Sequence, residues 1–556
     1  MGRQHRFALD WITAGVVSMV LVALCISRWT LPGGVWRDET ACIQLALLPT
    51  IGNIWANFEH EAFPPPFPQL VRTYVALFGR TDFALHGFGF AVCCLILISI
   101  WGASFILLAP GERRSVLSET ASSQEIIRPS ILSGAWPPVL SLALFGLNSS
   151  FLIWGAVVRG YGLAAAAIVL HFACLGRFRS QPSWRWWVWS VITGVLSVQC
   201  ALQNCFLVLA IGLSAVLVSL LRKELRTAVL SLSVGLIAAV STLYFLPRFL
   251  QIEWKIVVEG YLTLKDYVFG LLYQMGNPDQ AVIWVWGGLI LFCLCGGIWK
   301  TVQATRRVET SDGSLQYGLF VLILSLVLFL FFLRYLHYSM RPWYFVPLLA
   351  LLACNLEMML ARLMPVRFFQ LFRCVLTVLL LAALTVPAYR ETRTRMTNMD
   401  LIASRLEELA GPDDLIVVSP WYYGVSLNWY YHGSTRVESL PIIGRQPIHR
   451  YDLVMARMKS TEPLEDLKEE IRQTLANGHR VWVVGRLLPV PRQGPRSYGP
   501  APDPVAKWSE NEYMGSWLEQ MTAFLQRVSR SQTEIEIPVD SPVSRFEKLQ
   551  LWRIER

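Results

Sequence analysis

The sequence predicts an α-helical multi-pass membrane protein, with about eleven spans and interfacial helices in its first outer loop, followed by a small exported α/β domain. Three observations carry this reading. Apolar residues make up 54% of the chain and charged residues only 16%, a balance foreign to soluble domains. Apolar stretches of span length recur as far as residue 389. Beyond that point the composition becomes that of an ordinary soluble domain, in which short apolar runs alternate with charged segments and turns.

Taken in order, the first apolar run covers residues 8–30 and follows Arg3 and Arg6. It is longer than the apolar core of a signal peptide, roughly 7–15 residues, and no small-residue cleavage site follows, so an uncleaved anchor is expected. Later runs lie at 84–109, 134–152, 160–177, 186–200, 203–221, 227–247, 281–299, 317–333, 343–360 and 372–389, each near the ~20 residues that cross a bilayer. Residues 66–79 are apolar but short and carry Arg72 at their middle. They are expected to lie in the outer interface as an amphipathic helix.

Arg113 and Arg114, Arg177 and Arg179, Arg222 with Lys223 and Arg226, Lys300 with Arg306 and Arg307, and Arg362 with Arg367 then share one side. The positive-inside rule makes that side cytoplasmic, together with the amino terminus, and places the region after Tyr389 outside. Residues 111–133, with Ser115, Ser118, Ser122 and Ser123, are expected to form a flexible cytoplasmic linker. The domains are therefore 1–389 and 390–556. In the second, 414–420, 480–485 and 548–554 read as strands, 463–476 as a helix stopped by Asn477-Gly478, and 489–504 as a surface loop.

Several classes drop out. The net charge of +10 is spread through short loops rather than gathered on one face, which excludes nucleic acid as a partner. None of the 11 cysteines lies beyond Cys374, so no disulfide framework is indicated in the exported domain, and no metal-ligand spacing or cofactor motif occurs. Cys200 and Cys205 are either a pair or buried free thiols. His60-Glu61 lacks the second histidine of a zinc-protease helix, and Pro64 to Pro66 forbid that helix. Asn148-Ser149-Ser150 matches a glycosylation acceptor but lies against a span.

Candidate chemistry collects in the outer segments. Asp38 and Glu39 stand just past the first span. A partly desolvated carboxylate there is expected to have a raised proton affinity, as suits a general base; the alternative is a helix cap before the apolar run 41–48. At the outer junction 334–344, Arg334, His337, Arg341 and Tyr344 combine cations with aromatics. They read as a seat for a phosphate, or as interfacial anchors. Arg159 faces the same alternatives. Lys255, Lys265 and Asp266 lie in the long outer loop 248–280, either closing over a ligand or solvated.

The order of these elements carries a resemblance. A first span is followed by Asp38, an interfacial helix, the acidic-to-proline stretch 61–66, Leu77-Phe78-Gly79, Asp82-Phe83-Ala84-Leu85, and then Ser149 to Trp154 ahead of Arg159-Gly160-Tyr161-Gly162. This resembles the GT-C superfamily of glycosyltransferases that use polyprenyl-phosphate sugars, among them the protein O-mannosyltransferases and the bacterial enzymes that add aminoarabinose or other sugars to lipid A. It covers roughly the first 180 residues; later spans match by layout. Phe63 stands where many relatives carry His, and His86 where many carry Arg.

The resemblance implies a multi-pass enzyme with its cavity on the exported face and no cofactor. Its partners would be membrane lipid, a polyprenyl-phosphate sugar donor and a lipid, glycan or protein acceptor. Asp38 would be the base, with Glu39 orienting it or substituting for it, and Glu61 a second carboxylate for donor or acceptor. Arg159, Tyr161, Arg334, His337, Arg341 and Tyr344 would bind substrate, and one displacement would invert the anomeric carbon. The exported domain without cysteines points to a bacterial inner membrane. A lipid or polysaccharide translocator, or a noncatalytic scaffold, is the alternative, in which the acidic pair only stabilises a loop.

Overall fold

The computed structural model describes residues 3–31, 33–108, 136–252, 262–307, 313–335, 340–501 and 509–556. The serine-rich linker, Arg113, Arg114, Lys255 and His337 fall outside them. Among the described residues, eight helices are long and apolar enough to cross a membrane, the first at Ala8–Trp29 and the last at Val366–Thr392. Three of the eleven expected spans take other forms. Trp184–Cys200 and Leu225–Val240 are apolar helices of 17 and 16 residues.

The third, at 134–152, is broken. It holds a short helix at Leu140–Gly146 and then a wide turn at Ser150–Trp154. Residues 139–152 are almost wholly shielded by other helices, which is how irregular backbone survives at membrane depth. Asn148 accounts for part of the break: its amide donates to the carbonyls of Gln274 (2.9 Å) and Met275 (3.2 Å) and accepts from Ser150 N–H, so it is not open to modification. All eleven cysteines, including Cys200 and Cys205, are free thiols.

The first long loop folds into the helices Arg37–Ala46, Ile51–Asn57 and Pro66–Phe78. Proline at the start suits the last of these. It buries Phe67, Val71 and Val75 and exposes Leu70, Leu77 and Phe78, the two-faced pattern expected of an interfacial helix. Arg72 does not face that apolar surroundings: it donates to the carbonyls of Ala46, Leu48 and Pro49, closing the end of the Arg37–Ala46 helix.

The carboxyl-terminal region is a five-stranded sheet with helices on both faces. Strands β1 (Leu415–Ser419), β2 (Arg436–Ser439), β3 (Val481–Gly485), β4 (Ser531–Ile535) and β5 (Gln550–Glu555) lie in the order β2-β1-β3-β5-β4. The first three are parallel and the last two antiparallel to their neighbours. Leu415, Val417, Val481 and Val483 face one core and Ile416, Val418, Trp482 and Val484 the other. That double burial explains why β1 and β3 read as unbroken apolar runs. Strands β2 and β4, Arg-Val-Glu-Ser and Ser-Gln-Thr-Glu-Ile, carry no such run and were not expected. The helix Glu465–Ala476 ends at Gly478 with φ +82°, a left-handed stop.

Candidate active site

The parallel strands aim the ends of β1 and β2 at the membrane helices, and three groups of contacts weld the two regions. Past β1, Arg37 lies over the rings of Tyr422 (4.3 Å) and Tyr423 (5.6 Å). Past β2, His449 reaches Glu61. Farther along the chain, Phe546 enters a cage of Trp36, Trp154 and Trp343, with ring centroids 6.1, 5.3 and 5.8 Å away.

Glu39 is 4% exposed. Its carboxylate accepts from the backbone N–H of Val158 (2.7 Å) and of Trp36 (3.3 Å). Burial pushes its pKa up to about 7, against those two bonds and the charges of Arg28 and Arg159. Both oxygens are thus occupied in tying the start of the Arg37–Ala46 helix to the irregular segment before Arg159.

Asp38 is placed differently. Arg37 Nε donates to its Oδ1 at 3.2 Å, and His449 Nε2 lies 4.0 Å from the same oxygen. Burial alone would raise its pKa, but the charges of Arg159, Arg37, His449 and Arg341 together outweigh it and leave the net shift downward. The expectation of a raised proton affinity is therefore corrected. The sequence showed the apolar boundary but not the three guanidinium groups and the histidine around it, the histidine coming from 411 residues away.

Glu61 is 2% exposed. Its Oε2 meets Arg159 Nη1 at 3.0 Å, and its Oε1 accepts from the His449 backbone N–H at 3.0 Å and lies 2.9 Å from Nδ1. Burial is again outweighed, here by His449 and Arg159, and the pKa is lowered. Glu61 is an anchor with both oxygens engaged. Arg159 Nη1 also donates to the Asp38 carbonyl at 2.8 Å, and its guanidinium lies 4.6 Å from the Phe63 ring. The Arg159-Gly160-Tyr161 element has a steric reason for its glycine: a Cβ at Gly160 would sit 2.1 Å from the Cys200 carbonyl oxygen.

Tyr161 packs against Phe63 and stands 6.1 Å from Tyr344. Arg341 lies over Trp343 and makes no ion pair with a described residue. It also lines a cavity of about 890 Å³, bounded on its apolar side by Leu262, Phe269, Leu272, Ile283 and Phe345. Arg334 ends the Gly313–Tyr335 helix and has Tyr267 as an electrostatic neighbour rather than Asp38. Lys265 lies over Phe269, and Asp266 caps its own helix at Thr263.

Sequence reasoning missed Arg37, His449, Arg545, Phe546, Glu547 and Glu510. Glu510 accepts from Trp421 Nε1 at 3.0 Å, and burial raises its pKa beside Arg37, Arg341 and His449. The one available signal lay in the parallel strands, whose carboxyl ends are where open α/β sheets place functional groups.

Chemically, the arrangement offers two ionised carboxylates, Glu61 with both oxygens engaged and Asp38 with capacity to spare, together with aromatic rings and a large, mostly apolar cavity that two arginines line. No protein-family model and no curated protein matches the chain. Among solved structures it is similar to ArnT from Cupriavidus metallidurans bound to undecaprenyl phosphate, at 13% identity and TM-score 0.47 over 85% of this chain and 92% of that one. The apo form of the same protein gives 14% and 0.47, over 86% and 93%. The oligosaccharyltransferase from Archaeoglobus fulgidus gives 12% and 0.45, over 91% of this chain and 75% of that one.

Proposed function

We propose that this chain is a membrane-embedded glycosyltransferase of the GT-C kind, moving a sugar from a polyprenyl-phosphate donor to an acceptor hydroxyl with inversion. The observation that carries the reading is Asp38: a carboxylate kept ionised by surrounding cations, 14% exposed, and not saturated by hydrogen bonds. It is the base that takes the acceptor proton as the oxygen attacks the anomeric carbon. Its depressed pKa keeps the proton-accepting form fully populated at neutral pH. The transfer itself is then driven by loss of the sugar–phosphate bond rather than by a strongly basic carboxylate.

Arg341 stabilises the charge that grows on the departing phosphate. The apolar flank of the cavity takes the first isoprene units, and Tyr161, Tyr344 and Arg159 hold the sugar. Glu61 holds Arg159 and His449 in place. The amino terminus lies in the cytoplasm and the α/β domain outside a bacterial inner membrane, which requires an odd number of crossings. That reading counts the eight long helices, the two shorter ones and the broken segment as one crossing each.

Mass spectrometry of surface lipids, glycans and proteins from cells carrying the active protein or Asp38→Asn tests the function. The expected result is a species that loses one sugar residue in the variant. Identical profiles from both strains would overturn the reading.

A further inference from the structure

The segment 543–547 is held from both sides while one of its side chains is left free. Ser544 N–H donates to the Arg395 carbonyl and Arg395 N–H to the Pro542 carbonyl, each at 2.8 Å. Arg486 Nη2 donates to the Arg545 carbonyl at 3.3 Å. Phe546 is locked in the tryptophan cage described above. Glu547 is fully buried and accepts from Arg37 N–H (2.8 Å), Thr397 Oγ1 (2.9 Å) and Ser426 Oγ (2.6 Å). Between these pinned neighbours Arg545 is exposed and lines the same cavity as Arg341.

Arg545 has no ion pair with any described residue, and its guanidinium carbon rests 5.4 Å from the Phe546 ring. The carboxylate that borders this cavity, Asp266, already accepts two hydrogen bonds from Thr263 at 2.7 Å. Two guanidinium groups from different parts of the chain therefore share one cavity, and neither forms an ion pair with a described carboxylate, although Arg341 acts at longer range on Asp38 and Glu510. An anion carrying several oxygens would satisfy both, because planar guanidinium forks fit it.

We infer that Arg545 is a second phosphate-binding residue, so that the exported domain completes the seat for a lipid-linked phosphate. This rests on the donor reading above and extends it to a residue of the other domain. Arg341 then sits at the sugar side of the phosphate, and Arg545 closes the opposite side from a rigid mount.

The test measures binding of farnesyl phosphate, farnesol and inorganic phosphate to the purified full-length protein and to Arg545→Ala, Arg545→Lys and Arg341→Ala. Wild-type protein should bind farnesyl phosphate better than either other probe. Arg545→Ala should weaken that binding by about 10- to 100-fold, the scale of a lost charge-assisted hydrogen bond, and Arg545→Lys by less. Farnesol binding and melting temperature should not change. If Arg341→Ala weakens farnesyl phosphate binding and Arg545→Ala does not, the inference fails and the donor reading stands. A wild-type protein that prefers farnesol overturns both. Inorganic phosphate binding as tightly as farnesyl phosphate overturns the lipid-linked part.

Discussion

At one end of the helices, Glu357 accepts from the N–H groups of Val139, Leu140 and Ser141, the Ser141 hydroxyl and Arg373, whereas at the other end Asp38 accepts from Arg37 alone at hydrogen-bond distance. Near the start of the first helix Arg373 is 0% exposed and bridges Glu357 to Asp10, with Nη2 2.7 Å from Asp10 Oδ2. The void beside Glu357 is about 10 Å³, while the cavity beside Arg341 is about 890 Å³. Both clusters bury charge within or against the spans. In one, the Glu357 carboxylate is saturated and the space beside it closed, so it holds the broken segment to the last two helices. The other keeps an ionised oxygen with hydrogen-bonding capacity to spare, coupled electrostatically to Arg341, which lines open volume together with Arg545. Burial of charge alone does not mark a site; unsatisfied capacity beside space does.

The sharpest way to break this contrast is Asp38→Asn. It keeps shape and removes the proton acceptor, so transfer should fall by about 10²- to 10⁴-fold, the usual worth of a general base, with melting temperature preserved. Near wild-type transfer by the purified variant would place the chemistry elsewhere. Arg341→Ala should come next, lowering turnover by about 10²- to 10³-fold, the cost of losing one preorganised donor to developing charge. Lysine should restore only part, because it lacks the planar fork. Undiminished turnover in Arg341→Ala would shift that role to Arg159 or Arg334.

At the sealed end the same kind of substitution should act on stability instead. Arg373→Met leaves Asp10 and Glu357 without their shared cation, a change that costs about 3–5 kcal/mol when a buried pair is broken. Thermal unfolding in detergent should show a lower transition, and transfer per folded molecule should stay near wild type. Adding Asp10→Asn and Glu357→Gln should recover part of the loss. A variant with unaltered melting but no transfer would mean that this cluster is functional and that the contrast is false.

Much of the membrane region was legible because spans, the two-faced helix around Arg72 and the Arg-Gly-Tyr element depend on local composition and spacing. The acidic residues after the first span were legible as candidates, but their roles were not. Asp38 and Glu39 are neighbours in sequence, yet helix geometry turns one toward three arginines and His449 and the other toward two backbone N–H groups. His449 follows Gln446-Pro447-Ile448 with no periodic pattern, and its meaning arises only when β2 delivers it to Glu61. Phe546 and Glu547 lie in an irregular stretch before β5 and become readable only against Trp36 and the N–H of Arg37. The broken span at 134–152 was hidden for the converse reason: its composition is apolar throughout, and the groups that replace its helical hydrogen bonds, Glu357 and Gln274, are distant.

The smallest expected effect separates the adjacent carboxylates. In the folded protein Glu39 has its pKa pushed up to about 7 by burial, against the bonds from Val158 and Trp36 and the charge of Arg28; its usual value is 4.5. Folding thus favours the protonated form. The associated stability is fully present below about 4.5 and is lost as pH rises through about 7. Glu547 is raised to about 7 as well, by burial that exceeds the pull of Arg37 and Ser426. The melting temperature of the wild type should therefore decline between about pH 4.5 and 7, and Glu39→Gln should remove part of that slope, with the remainder belonging to Glu547. Glutamine presents one acceptor oxygen, so one of the two backbone N–H groups loses its bond, which costs about 1 kcal/mol or somewhat more. Transfer should fall by less than about tenfold, far less than in Asp38→Asn, because both Glu39 oxygens are engaged by backbone N–H groups. An unchanged melting profile combined with abolished transfer in Glu39→Gln would reverse the assignment, making Glu39 the base and Asp38 the support.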